Sequence, residues 1–113
     1  MAKLDKFQIK ITTGDKALEE PVRMKFNNHV FELENTSGST ETGAVFEGEF
    51  QPRSFVHGFT LLGPENGQWA VDKIEMIYEI EQDKVQVAFG QVLLDDSNEV
   101  NVWKEKEPEV FDV

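Results

Sequence analysis

The chain contains no cysteine and only two histidines in 113 residues. The lack of cysteine excludes a disulfide framework, a thiolate zinc site and a cysteine nucleophile. A transition-metal site would need both His29 and His57 together with carboxylates, which disfavours such a site. There is also no apolar run long enough to span a bilayer and no N-terminal apolar stretch typical of a signal peptide. These absences predict a cytoplasmic protein without a membrane span.

Basic residues are scarce compared with acidic ones. Lys and Arg number 11 against 22 Asp and Glu, so the formal net charge is −11. A charge of this sign and size repels nucleic acid and anionic lipid head groups at long range, and we expect no nucleic-acid partner. It leaves a cation, a basic protein or an uncharged ligand as candidates. The simplest interpretation is that the charge keeps the surface soluble.

The motifs that carry common catalytic chemistry are missing. The sequence has no EF-hand loop, no nucleophile elbow and no glycine-rich phosphate loop. Ser54, His57 and Asp72 have the residue types of a catalytic triad, but the sequence shows no oxyanion loop to accompany them, so it does not indicate a triad. Because acidic residues are so numerous, a pair of carboxylates gives no specific indication of a glycosidase site. The sequence therefore predicts a protein that is not an enzyme.

What the chain does contain is alternation of apolar and polar residues at period two. It is clearest in residues 68–81, where Ile74, Met76, Tyr78 and Ile80 share one face. Strict alternation is typical of a half-buried strand. Seven further segments resemble it, and turn residues separate them, so that the predicted strands are residues 6–13, 22–26, 30–35, 44–50, 54–62, 73–81, 84–94 and 99–103.

Eight short strands without a helix predict an all-β fold, an antiparallel eight-stranded β-sandwich of jelly-roll type, with an eight-stranded barrel as the alternative. We expect one domain over residues 1–104 and a loose acidic tail over residues 105–113. The faces assigned to the strands predict which side chains are largely buried, namely Phe7, Ile9, Phe46, Phe59, Ile74, Met76, Tyr78 and Val87.

Strand parity predicts where the loops lie. If successive strands are antiparallel, the polar loops 14–20, 36–43, 63–68 and 95–98 share one end of the domain. The tight turns at Asn28, Pro52 and Gln82 then share the other end. Loops on a rigid sheet are the usual carriers of function. The loop end collects seven acids against the single base Lys16, namely Asp15, Glu19, Glu20, Glu41, Glu65, Asp95 and Asp96.

An acidic loop end provides the oxygen ligands that calcium prefers. The candidate metal ligands are Asp15, Glu41, Asp95, Asp96 and Asn98, although ordinary solvated loops are the favoured interpretation. The candidate ligand-binding residues are Trp69, Glu65 and Asn66. A tryptophan where a loop joins a strand either stacks on a ligand or closes the end of the core, and the core is favoured for Trp69. For Trp103 the sequence favours neither of these two roles.

Two stretches carry a resemblance to a known family. FQIKITTGD (residues 7–15) and FTLLGPENGQWAVDKIEM (residues 59–76) resemble the PLAT domain, the β-sandwich at the front of lipoxygenases and lipases. The family opens with a strand that ends in TGD and later shows a strand, a polar Gly/Asn loop, a tryptophan and an apolar strand. The resemblance implies a PLAT/C2-like sandwich that binds lipid or protein, in some members with calcium. Asp15 is the one residue that carries over, as a ligand.

Together these patterns predict a non-catalytic binding module that uses the acidic loop end for a lipid, carbohydrate or protein ligand, with Ca²⁺ as the candidate ion. The alternative is a structural or assembly subunit that pairs with a basic protein partner or with itself as a homo-oligomer. A small hydrolase is the least favoured of the three.

Overall fold

The computed structural model describes residues 3–56, 58–80 and 83–102. Within these ranges no helix is long and apolar enough to cross a membrane. The described residues form eleven strands, which are β1 (Lys3–Thr13), β2 (Arg23–Phe26), β3 (His29–Glu32), β4 (Glu34–Gly38), β5 (Val45–Phe50), β6 (Ser54–Phe55), β7 (Phe59–Leu62), β8 (Trp69–Ile80), β9 (Asp83–Phe89), β10 (Val92–Leu94) and β11 (Glu99–Asn101).

The strands form two antiparallel sheets. The larger sheet has the order β10-β8-β1-β5-β4, with β6 paired to the start of β1 and β9 paired to β8. The smaller sheet has the order β11-β7-β2-β3. Neither sheet closes on itself within the described chain. The predicted all-β antiparallel sandwich is therefore confirmed, and the barrel alternative is wrong.

The pair β1 and β8 forms the centre of the larger sheet. The two strands run antiparallel from Leu4 opposite Ile80 to Thr13 opposite Val71. The register shifts near Asp72, where the extra residue of a bulge lets Val71 and Ile74 both face inward although two residues lie between them. The strand predicted over residues 73–81 is thus confirmed up to Ile80, where the described part ends, and the bulge extends its buried face back to Trp69.

Three of the predicted strands are each divided in two, which accounts for eleven strands where the sequence indicates eight. The chain passes from the smaller sheet to the larger one at Leu33, between β3 and β4. It passes back between β6 and β7, near Gly58. Gly90 and Gln91 interrupt the strand predicted over residues 84–94. Alternation continues through such corners because the apolar face follows the core from one sheet to the next.

The core lies between the facing sides of the two sheets. Phe7 of the larger sheet meets Phe59 of the smaller sheet edge to face, with ring centroids 4.4 Å apart. Of the predicted core residues, six are almost fully inaccessible, namely Phe7, Ile9, Phe59, Ile74, Met76 and Tyr78. Phe46 and Val87 are only half-buried and pack against this core from the side. The burial of these two is partial because they lie on β5 and β9, the strands that flank the central pair.

Truncation of a central core side chain should destabilise the fold strongly. We expect Phe59→Ala and Ile74→Ala each to lower the free energy of unfolding by about 2–5 kcal/mol, since each loses transfer energy and leaves a cavity. Denaturant unfolding followed by circular dichroism measures this loss. Val30→Ala is the control, because Val30 is 55% exposed. Losses below about 0.5 kcal/mol for both core variants would contradict the assigned faces.

An acidic loop end as the candidate functional site

Backbone hydrogen bonds tie the first two polar loops together. The Leu18 amide donates to the Thr40 carbonyl at 3.1 Å, and the Thr40 hydroxyl donates to the Leu18 carbonyl at 2.9 Å. The Gly43 amide donates to the Thr13 carbonyl at 3.1 Å, where β1 ends. Loops 14–20 and 36–43 therefore lie side by side at the end of the central strand.

The carboxylate of Glu20 holds the third loop in place. Its two oxygens accept hydrogen bonds from the Glu65 and Asn66 amides, each at 2.9 Å. The hydrogen bond from the Glu65 amide is the main cause that holds the pKa of Glu20 below its usual range. The sequence places Glu20 among the acids of the loop end but does not indicate this contact, because its partners lie 45 and 46 residues further along the chain.

The fourth loop is closed by its own side chains. Asp95 accepts hydrogen bonds from the Ser97 amide at 2.9 Å and from its hydroxyl at 2.8 Å, and these lower the pKa of Asp95. Asn98 accepts from the Asp95 amide at 2.7 Å and donates to the Leu93 carbonyl at 2.8 Å. The loop packs directly on Gly63, where an added Cβ would lie 2.1 Å from the Asp95 carbonyl oxygen. A larger residue at this position would separate loops 63–68 and 95–98.

These contacts confirm that the four polar loops share one end. The opposite end holds the turn at Asn27, whose side chain donates to the Phe55 carbonyl at 2.9 Å and accepts from the Gly58 amide at 3.1 Å. Asn27 has a positive φ of 59°, which asparagine tolerates in tight turns. The predicted position of Gln82 lies outside the described residues.

A cleft of about 480 Å³ opens between loops 63–68 and 95–98. Its lining includes four acids, namely Glu65, Asp95, Asp96 and Glu99, and also Asn98 and Arg23. The Arg23 guanidinium donates to the Gly63 carbonyl at 3.2 Å and lies 3.6 Å from the Glu65 carboxylate. Arg23 is half-buried on β2, so its charge stays fixed at the cleft. Alternation places Arg23 on a strand but gives no indication of this position, which pairing with distant loops determines.

The structure brings three of the five predicted metal ligands together and separates the other two. Asp95, Asp96 and Asn98 line this cleft, whereas Asp15 lines a separate depression with Thr42 and Asp72. Glu41 belongs to loop 36–43. Among the described residues, no group of three or more histidine, aspartate or glutamate side chains is placed to hold a metal ion. The side chains of Asp95 and Asn98 are already engaged in closing their own loop.

The three predicted ligand-binding residues also separate. Glu65 lines the acidic cleft, and Asn66 lines an adjoining depression with Glu19 and Glu20. Trp69 is fully buried, and its indole N–H donates to the Thr13 hydroxyl at 3.1 Å. The favoured core position of Trp69 is confirmed, so its ring presents no face to a ligand.

The remaining candidates lie outside the described residues or far apart. His57 and Trp103 belong to the parts of the chain that the structure does not describe. Ser54 pairs with Leu4 at the start of β1, whereas Asp72 lies in the bulge opposite the end of β1. Leu4 and Thr12 are eight positions apart along the strand, which corresponds to about 27 Å. Ser54 and Asp72 therefore cannot belong to one catalytic triad.

The buried hydrogen bond between Trp69 and Thr13 should contribute measurably to stability. We expect Thr13→Val to lower the free energy of unfolding by about 1–3 kcal/mol, because the indole N–H loses its acceptor inside the core. Thr13→Ser keeps the hydroxyl and removes a methyl group, so it should cost about 0.8 kcal/mol. Denaturant unfolding compares the two. A valine variant as stable as the serine variant would contradict this contribution.

The Glu20 contact should be visible as a pH dependence of the third loop. Folding lowers the pKa of Glu20 from its ordinary value of 4.5. The contact of the ionised carboxylate therefore contributes its full stabilisation above pH 4.5 and is lost as the pH falls through the lowered pKa of the folded state. The amide proton resonances of Glu65 and Asn66 should therefore titrate with a midpoint below 4.5. Glu20→Gln should abolish this titration, whereas Glu19→Gln should preserve it. Titration of both amides in Glu20→Gln would assign the effect to another group.

Comparison with family models, with curated proteins and with solved structures finds no match for this chain. The PLAT resemblance accordingly stays a prediction that rests on residues 7–15 and 59–76. A sandwich fold alone does not determine function, so the function has to be inferred from the chemistry of the loop end.

Proposed function

We propose that the chain is a non-catalytic binding module whose acidic cleft, between loops 63–68 and 95–98, receives a basic segment of a protein partner. The observation that carries this proposal is the placement of four acids around one cleft whose loop backbones are fixed by Glu20, Asp95 and Asn98. Loops that are ordered before binding lose less conformational entropy when a ligand arrives.

The charge of the cleft favours a cationic ligand. Glu65 is 72% exposed at the rim, and among the described lining residues Arg23 is the one base against four acids. The net charge of −11 on the whole chain adds a long-range attraction for a basic partner, which raises the association rate. The same charge repels an anionic lipid surface. A carbohydrate is disfavoured because the part of the cleft lining that the structure describes contains no aromatic side chain for a sugar ring to stack on.

Binding is a better fit than catalysis for the carboxylates at this end. A general acid at neutral pH needs a raised pKa, which burial or a neighbouring acid provides. Glu20 and Asp95 instead have lowered pKa values, because backbone amides stabilise their ionised forms. Both carboxylates act as fixed acceptors that hold loops, and this supports a role in shaping a surface.

Calcium is a candidate ion at the same cleft. Asp96, Glu65 and Glu99 are the cleft acids whose carboxylates the loop hydrogen bonds described above do not use. An ion there would require these side chains to converge, because they form no metal-binding group in the described structure. Calcium binding would therefore involve a rearrangement of side chains at the rim.

A titration with a basic peptide tests the binding proposal. We expect an oligolysine peptide, added to ¹⁵N-labelled protein, to shift the amide resonances of residues 63–68 and 95–98, with affinity that falls as salt rises. The double variant Glu65→Gln, Asp96→Asn should bind at least about fivefold more weakly, since two exposed charges are removed from the cleft. The control is Glu79→Gln, Asp83→Asn, which makes the same charge change at the other end of the larger sheet.

Equal weakening by both double variants would show that only the net charge matters, and the proposed cleft would be wrong. Shifts confined to another surface would have the same consequence. Parallel titrations with CaCl₂, MgCl₂ and NaCl at matched ionic strength test the ion. Shifts at residues 95–98 that only CaCl₂ produces would support calcium, and identical responses to the three salts would remove it from the proposal.

A further inference from the structure

The edges of the two sheets differ in how they are protected from pairing with another chain. Within the described residues, the smaller sheet ends in β11 and β3, which have three and four residues. One edge of the larger sheet is β4, where the register shifts and Asn35 and Gly38 have positive φ angles. Short, irregular edges are a usual protection against edge-to-edge pairing. Three of the four edges have this protection.

The strand β9 lacks it. Seven residues, DKVQVAF, pair with β8 in one unbroken register, without proline, glycine or a bulge. In the described chain β8 is the one strand that pairs with β9, so the other side of β9 is an edge of the larger sheet. Its charged residues, Asp83 and Lys84, both lie at the beginning of the strand, and the remaining five residues are uncharged. A regular, mostly uncharged edge of this length is a template for another strand.

The inner face of β9 is also incompletely covered. Val85, Val87 and Phe89 face the core side, opposite Tyr78, Met76 and Ile74 of β8. Those three β8 residues are fully buried, whereas Val85 remains 37% exposed and Val87 is half-buried. The smaller sheet therefore covers Val85 and Val87 only in part, and these two valines lie beside the edge of the larger sheet in the described chain.

We propose that β9 is a self-association edge, which pairs antiparallel with β9 of a second copy about a two-fold axis at Gln86. This register centres the contact on residues 84–88, the middle of the strand. It places Val85 opposite Val87 of the second copy on the inner face, and Lys84 opposite Ala88 and Gln86 opposite Gln86 on the outer face. Lys84 is the one charged residue of this segment, so no two like charges are opposed.

The sequence of β9 favours a second copy over another partner. An isologous interface requires a self-complementary surface. This strand provides one, because Val85 of each copy lies opposite Val87 of the other and the uncharged side chain of Gln86 lies on the two-fold axis. Pairing two such edges joins the larger sheets of both copies into one continuous sheet. The contact is smaller than a standard interface, so we expect a weak dimer, with a dissociation constant of roughly 10 μM to 1 mM.

Salt distinguishes this dimer from the binding of a basic peptide. Each copy carries a net charge of −11, so two copies repel each other and added salt should strengthen the dimer by screening that repulsion. Binding of a basic segment at the acidic cleft should weaken under the same change. The two proposals therefore fail or succeed independently.

Cysteine cross-linking tests the register. The chain has no cysteine of its own, so Gln86→Cys introduces a single thiol. In the proposed dimer the two Cys positions face each other at a Cα separation of about 4.5–5.5 Å, within the range of a disulfide. Ala88→Cys is the matched control, since its two copies would be about 13 Å apart along the paired strands. We expect mild oxidation to yield covalent dimer at least about tenfold faster for Gln86→Cys. Equal rates would overturn the register.

Sedimentation equilibrium tests the association itself. We expect the unmodified chain to form dimers at concentrations up to about 1 mM, and Val85→Lys to raise the dimer dissociation constant at least about tenfold, because a charge enters an apolar contact. Val30→Lys makes the same substitution at an exposed valine of β3 and should leave the constant unchanged. Circular dichroism melts verify that both variants fold. An unmodified chain that remains monomeric, or equal dimerisation of the two variants, would overturn the proposal.

Discussion

The antiparallel pairing of β1 with β8 is the contact on which the other parts of the structure depend. It spans nearly the full length of both strands and aligns their inner faces into one apolar surface, against which Phe59 and the smaller sheet pack. The bulge at Asp72 keeps that surface continuous to Trp69, and so the indole meets the Thr13 hydroxyl at the end of β1. Because β1 leads into loop 14–20 and β8 follows loop 63–68, the same pairing brings those two loops together.

The acids of the loop end divide into two groups with different roles. Glu20 and Asp95 accept hydrogen bonds from backbone amides, and these bonds fix two loops of largely polar sequence. Glu65, Asp96 and Glu99 contribute charge to the cleft between those loops. An ionised carboxylate that already accepts two hydrogen bonds attracts a cation less strongly than one that faces water, because its charge is partly compensated. The first group therefore builds the site, and the second group sets its electrostatic potential.

Sequence patterns predict the parts of this molecule that depend on neighbouring residues. Alternation in residues 73–80 identifies the buried face of β8, and strand parity places the four polar loops at one end, because both follow from the geometry of a single strand or turn. The alternation does not indicate that the chain passes from one sheet to the other at Leu33 and near Gly58. The contacts of Glu20 with Glu65 and of Arg23 with Gly63 join residues about 40 or more positions apart. Such contacts depend on how the loops pack, which period-two patterns do not encode. Val87 is on the predicted inner face but is only half-buried, because β9 lies at an edge that the described part of the smaller sheet covers incompletely.

The proposed cleft and the proposed association edge have a fixed relation, because β9 leads through β10 directly into loop 95–98. The strand therefore runs toward the loop end of its own copy. In an antiparallel dimer centred on Gln86, the second copy runs the other way, so its acidic cleft lies at the opposite end of the joined sheet. One short basic segment cannot then reach both clefts, whereas two separate segments, or a partner long enough to span the dimer, can occupy both. Joining the copies by β9 would thus give a bivalent surface, on which two weak cleft contacts act together when the partner carries suitably spaced basic segments.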